Sequence, residues 1–128
     1  MFRRFTSLIF VTLSISFLTS CEDSPEKIMA DRLEVADAGI EVLTELSEGK
    51  ITSEHAQTKF RNLKAKSREL AKRENELIGI YNDEDFTAAK TKYAPELAER
   101  ARTFTNIATK LDLRGKLDEE LIEILKPD

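Results

Sequence analysis

SPEKIMADRLEVADAGIEVLTELSEG, residues 24–49, decides the fold class of this chain. Met29, Leu33, Ala36, Ile40 and Leu43 recur at steps of four and three, the spacing of one face of an α-helix. Ile28, Val35, Val42 and Leu46 flank that stripe, so the apolar face is wide and suits a helix packed between two neighbours rather than one. Ser24 is placed to cap the helix, Pro25 fits its first turn, and Gly49 marks its end. Gly39 lies inside the helix, where a glycine costs about 1 kcal/mol relative to alanine. Beside Ala36 and Ala38 it reads as a notch for close packing rather than a hinge.

The same period continues downstream. A second helix is expected from Thr52 or Ser53 to about Ile78, with the seam Ala56, Phe60, Leu63, Ser67, Leu70, Glu74 and Leu77. Ser67 and Glu74 interrupt this seam, and the drift of a straight helix against a seven-residue repeat predicts that Ala71 and Ile78 take over the buried edge. Gly79 ends the helix, and Ile80, Tyr81 and Asn82 form a loop. A third helix starts in the acidic run Asp83, Glu84, Asp85 and carries Phe86, Ala89, Tyr93, Leu97, Ala101, Phe104, Ala108 and Leu111. Its stripe slips around Pro95, which lacks an amide donor, so a kink or break is expected between Thr91 and Pro95. After Gly115, Asp118 caps a short last helix whose Leu121, Ile122, Ile124 and Leu125 close one end, and Pro127 terminates it. The expectation is an all-α, three- to four-helix antiparallel bundle over residues 26–128, one domain in a chain of 128.

Charge is divided unevenly along this plan. Residues 22–48 hold nine acids against two bases, a net of −7, while residues 53–78 hold seven bases against four acids, a net of +3. Opposite signs favour the antiparallel pairing of the first two helices, although exposed pairs contribute only about 0 to 1 kcal/mol each and burial of the seam decides the fold. The basic face of the second helix, with Lys59, Lys64, Lys66, Lys72 and Arg73, has two uses: pairing with helix one, or contact with an envelope protein or lipid. Residues 21–128 carry 18 bases and 24 acids, a net of −6, which repels a polyanion and argues against nucleic-acid binding.

No residues assemble into a recognisable catalytic pattern, so the chain is read as a non-enzyme. His55 stands alone beside Glu54 in the first turn of helix two, a solvated position. One Cys and one His cannot build a four-ligand zinc site, and Met29, the other conceivable haem ligand, belongs to the core stripe. Asn82, Asp83, Glu84 and Asp85 offer oxygens without the glycine and distant glutamate of a calcium loop, so capping explains them. No metal or cofactor is expected.

The N-terminus MFRRFTSLIFVTLSISFLTSC has two arginines, an apolar run from Phe5 to Leu18 and then small residues, the grammar of an export signal. Fourteen residues of helix span about 21 Å, short of a hydrocarbon core near 30 Å, which disfavours a permanent membrane span. Leu18, Thr19, Ser20 and Cys21 resemble the lipobox of bacterial lipoproteins. That resemblance covers the first 21 residues and implies cleavage before Cys21, a diacylglycerol on its sulfur and acylation of the new amino terminus. It leaves 1–20 as signal peptide and 21–25 as lipidated cysteine and short tether, with the protein held by membrane lipid on the extracytoplasmic side. With Glu22 where retention signals favour Asp, inner and outer membranes both stay open. Ile51, Thr52, Ser53, Glu54 and His55 are faintly similar to the Leu-Thr-x-x-Gln start of helical periplasmic proteins of the Spy and CpxP type. Two expectations result: a lipid-anchored bundle with an interaction or structural role in the cell envelope, or an envelope-stress chaperone or metal-responsive sensor of helical cradle type.

Overall fold

The computed structural model describes residues 23–127. Four helices follow one another: α1 (Pro25–Ser47), α2 (Ser53–Leu77), α3 (Asp83–Leu113) and α4 (Glu119–Leu125). Local chemistry starts each of them. The Ser24 hydroxyl accepts from the Lys27 amide at 3.1 Å, and that of Thr52 from the His55 amide at 3.2 Å. Asn82 and Asp85 form a reciprocal capping box, and Asp118 accepts from the Leu121 amide at 2.7 Å. Each side chain satisfies an amide that the first helical turn leaves unpaired. The acidic run at the start of α3 therefore serves the helix end, as its position suggested.

α1 is the middle helix. Its backbone lies against α2 on one side, antiparallel, and α3 on the other, while α4 packs on α2. α2 and α3 meet through side chains, with the Phe60 and Phe104 rings edge to face at 6.1 Å. The wide apolar face of α1 is thus used by two neighbours. Burial is shared between the stripe and its flank: Met29 and Leu43 of the stripe and Ile28, Val42 and Leu46 of the flank are buried, whereas Leu33, Ala36, Ile40 and the flanking Val35 are half-buried.

Apolar contacts fall into two clusters. One gathers Val42, Leu43, Leu46, Ala56, Phe60, Leu111 and Leu121, so α4 does close that end. The other gathers Ile28, Met29, Leu70, Leu77 and Ala89. Between them Gly39 admits aromatic rings: a Cβ there would meet Phe104 Cε2 at 3.4 Å and Phe60 Cε1 at 3.8 Å. These are ordinary contact distances. Gly39→Ala is therefore expected to raise stability by up to about 1 kcal/mol through helix propensity, whereas Gly39→Leu would have to displace the Phe104 ring and lower it. Urea unfolding of the two variants checks both signs.

One expectation is overturned and another is narrowed. Ala71 and Ile78 do not take over the edge of α2; both are exposed, Ile78 at 67%. Leu70 and Leu77 keep the seam, and Glu74 stays within it because the Arg32 Nη2 of α1 donates to its Oε2 at 2.8 Å, with Lys90 of α3 3.6 Å away. A partly buried carboxylate is tolerable when a cation answers it. Nor does α3 break at Pro95: the helix runs unbroken from Asp83 to Leu113. Thr91 and Pro95 are both exposed, on the solvent side of the helix, while Tyr93 and Leu97 pack on the smaller apolar cluster and Arg100 bonds Asp37 of α1, holding the helix on either side. A bend at Pro95 is compatible with that continuity; a break is not.

Candidate functional site

Cys21 lies outside the described residues, and only Glu22 separates it from Asp23. Asp23 is already part of the folded body. Arg73 Nε of α2 donates to Asp23 Oδ2 at 3.0 Å, and its Nη2 reaches both Asp23 Oδ1 and, at 3.0 Å, Asp31 Oδ2 of α1. Tyr81 Oη donates to the Asp23 carbonyl oxygen at 3.2 Å, and Pro25 is buried. The clamped body thus includes part of the stretch expected to be tether. Two residues of extended chain reach at most about 7 Å, so any group on the Cys21 sulfur is held close to this end of the helices.

The bidentate contact is charge-assisted, the stronger kind of hydrogen bond. The Arg73 hydrogen bond holds the Asp23 carboxyl below its ordinary value of 3.8, and burial opposes the shift. Arg73 is held in its charged form, first by Asp23 and also by Asp31. A lowered carboxyl contributes stability that is complete above its unfolded value and is lost as pH falls through the folded one. Asp23→Ala is expected to cost about 1 to 3 kcal/mol near neutral pH. The difference from wild type should shrink only below about pH 4, as urea midpoints measured along a pH series will show.

The five basic residues singled out on α2 do not form one free patch. Arg73 is committed to the clasp, and Lys59 Nζ lies 3.8 Å from Glu45 of α1. Lys64 is half-buried at the rim of an apolar trough and has an interaction of its own. Lys66 and Lys72 are exposed, and among the described residues neither has an acidic group within ion-pair distance. The acids of α1 are shared between two helices. Asp31 and Glu45 are met by α2, whereas Glu26 and Asp37 are met by Lys92 and Arg100 of α3. Helix one is therefore neutralised from both sides rather than by α2 alone.

Several concavities flank α1, and two of them differ in character. An open polar groove of about 470 Å³ runs between Asp31, Glu34 and Ala38 of α1 and Lys66, Glu69 and Arg73 of α2. The smaller trough, about 210 Å³, lies over Ala36 and Gly39 and is walled by Phe60, Leu63, Phe104 and Leu125. His55 is exposed, and Met29 is buried in the core at 6% exposure. Among the described residues no three His, Cys, Asp or Glu side chains are grouped to hold a metal ion, and no helix is long and apolar enough to cross a membrane.

Sequence reasoning assigned Asp23 to the tether and missed the clasp. The available signal was the cap itself, since a helix capped by Ser24 fixes the residue before it at the bundle end. Comparison with known protein families, with curated proteins and with solved structures finds no match for this chain.

Proposed function

We propose that this protein is a membrane-anchored bacterial lipoprotein, lipidated at Cys21, whose helical bundle has a non-enzymatic interaction or structural role in the cell envelope. The observation that carries the reading is the placement of its only cysteine, two residues ahead of a clamped Asp23 and directly after a lipobox-like Leu18-Thr19-Ser20. Such a chain start favours a bundle held against a surface. Acyl chains contribute about 0.8 kcal/mol per buried methylene, so two or three chains anchor a protein stably where one does not.

An envelope protein is the partner we favour for the exposed face of α2. Of the five basic residues singled out there, Lys66 and Lys72 are the exposed ones, and Glu69 lies beside Lys66 along the polar groove. Amine-reactive crosslinking in intact cells tests it. A partner joined through Lys66 or Lys72 supports the interface, and failure of both lysines to reach any other protein or the membrane removes it.

The apolar trough over Gly39 favours a second reading, a periplasmic chaperone or metal-responsive sensor of helical cradle type. That reading requires suppression of aggregation of an unfolded client by the purified protein, or a metal-dependent change in helicity. Absence of both counts against it.

A further inference from the structure

The end of the bundle that holds Asp23 also presents two large aliphatic side chains to solvent. Ile78 is 67% exposed and Ile80 74%, both on the turn that joins α2 to α3. The turn is well defined. Gly79 takes φ +95°, a conformation that suits glycine, and the amides of Ile80 and Tyr81 both donate to the Leu77 carbonyl, at 3.0 and 3.1 Å. Leu77 is buried in the core and Tyr81 is bonded to Asp23, so the residues flanking the tip are used inward and the isoleucines are left outside. The remaining large exposed aliphatic among the described residues, Leu113, closes α3 at its other end. A 31-residue helix separates the two sites by roughly 45 Å.

We propose that Ile78 and Ile80 insert into the lipid bilayer beside the acyl anchor, as a second contact that sets the bundle upright with the α2–α3 turn at the membrane and α4 away from it. The inference rests on lipidation of Cys21. The occupant is chosen by where the chain outside the described residues ends: Cys21 lies within about 7 Å of chain from Asp23, and the Asp23 carbonyl is bonded to the turn itself. Acyl chains attached there bring the turn to the interface between headgroups and hydrocarbon. Asp83, Glu84 and Asp85 follow the tip at once, so attraction to anionic headgroups is not the driving contact. Burial of apolar side chains is.

The native chain has no Trp, so a single introduced one reports its own surroundings. Lipidated full-length protein carrying Ile80→Trp, Ile78→Trp or Leu113→Trp is reconstituted on phosphatidylcholine vesicles with brominated acyl chains. All three positions are exposed, and far-UV circular dichroism verifies the fold of each variant. The expected result is blue-shifted emission, most of it lost to bromine quenching, at positions 78 and 80, and unquenched emission at position 113. Vesicle-bound protein with positions 78 and 80 unquenched, or with position 113 quenched as strongly, overturns the upright docking and leaves the anchor intact. Protein that carries a free Cys21 thiol and stays off the vesicles overturns both.

Discussion

Replacing Phe60 by alanine is expected to cost about 3 to 5 kcal/mol of folding stability. Phe60 is 4% exposed, belongs to the larger apolar cluster and holds the edge-to-face contact with Phe104 that joins α2 to α3 across α1. Truncation removes the ring, takes away the edge-to-face partner of Phe104 and widens the trough over Gly39 that Phe60 helps to wall. Domains of this size have a total stability of about 5 to 15 kcal/mol, so much of the margin disappears. Urea titration followed by helical circular dichroism measures the loss. Phe86, half-buried at the edge of the smaller cluster, provides the comparison: Phe86→Ala should cost clearly less. Equal losses at the two positions would contradict the division of the core described above.

The second large effect is on location. Cys21→Ala should move the protein from the membrane fraction to the soluble fraction, because it removes the only thiol that can carry acyl chains. Ile78 and Ile80 alone do not compensate. Two partly exposed isoleucines offer a small fraction of the apolar area of two acyl chains, each with more than a dozen methylenes at about 0.8 kcal/mol apiece. The substituted domain should keep its helicity, since Cys21 precedes the residues that form the Asp23 clasp and the four helices. Fractionation together with circular dichroism separates loss of the anchor from loss of the fold.

The division between what the sequence reveals and what it hides follows the range of the interactions involved. Helix limits were legible to within a residue or so at Ser24, Thr52, Asn82 and Asp118, because a cap is made by groups three positions apart. The role of Gly39 was legible from its small neighbours. The fate of Glu74 was not, because its partner Arg32 lies 42 positions away on another helix and no periodicity encodes that meeting. Pro95 left kink and break both open for a related reason, and only the break is excluded. The local cost of an interior proline is real, but whether it breaks a helix depends on solvent access to the freed carbonyl and on packing to either side. The clasp from Arg73 to Asp23 and Asp31 was likewise invisible, and it withdraws one of the five cations first assigned to a partner face. What remains accessible there is Lys66 and Lys72.

Clasp, turn and chain start lie at one pole of the bundle, with the cluster around Leu43, Leu111 and Leu121 at the other. This polarity ties the proposed anchor to the fold: the N-terminal cap of α1, the end of α2 and the start of α3 all meet where the tether emerges. A short connection of this kind couples an anchored end to the body more closely than a long flexible linker would.

The most direct measurement is the mass of the N-terminal peptide from protein purified out of its own membranes. The expected chain begins at Cys21 and carries a diacylglycerol thioether, with or without a further acyl group on the amine. A peptide that begins elsewhere, or that carries Cys21 with an unmodified sulfur, would contradict the proposed anchor.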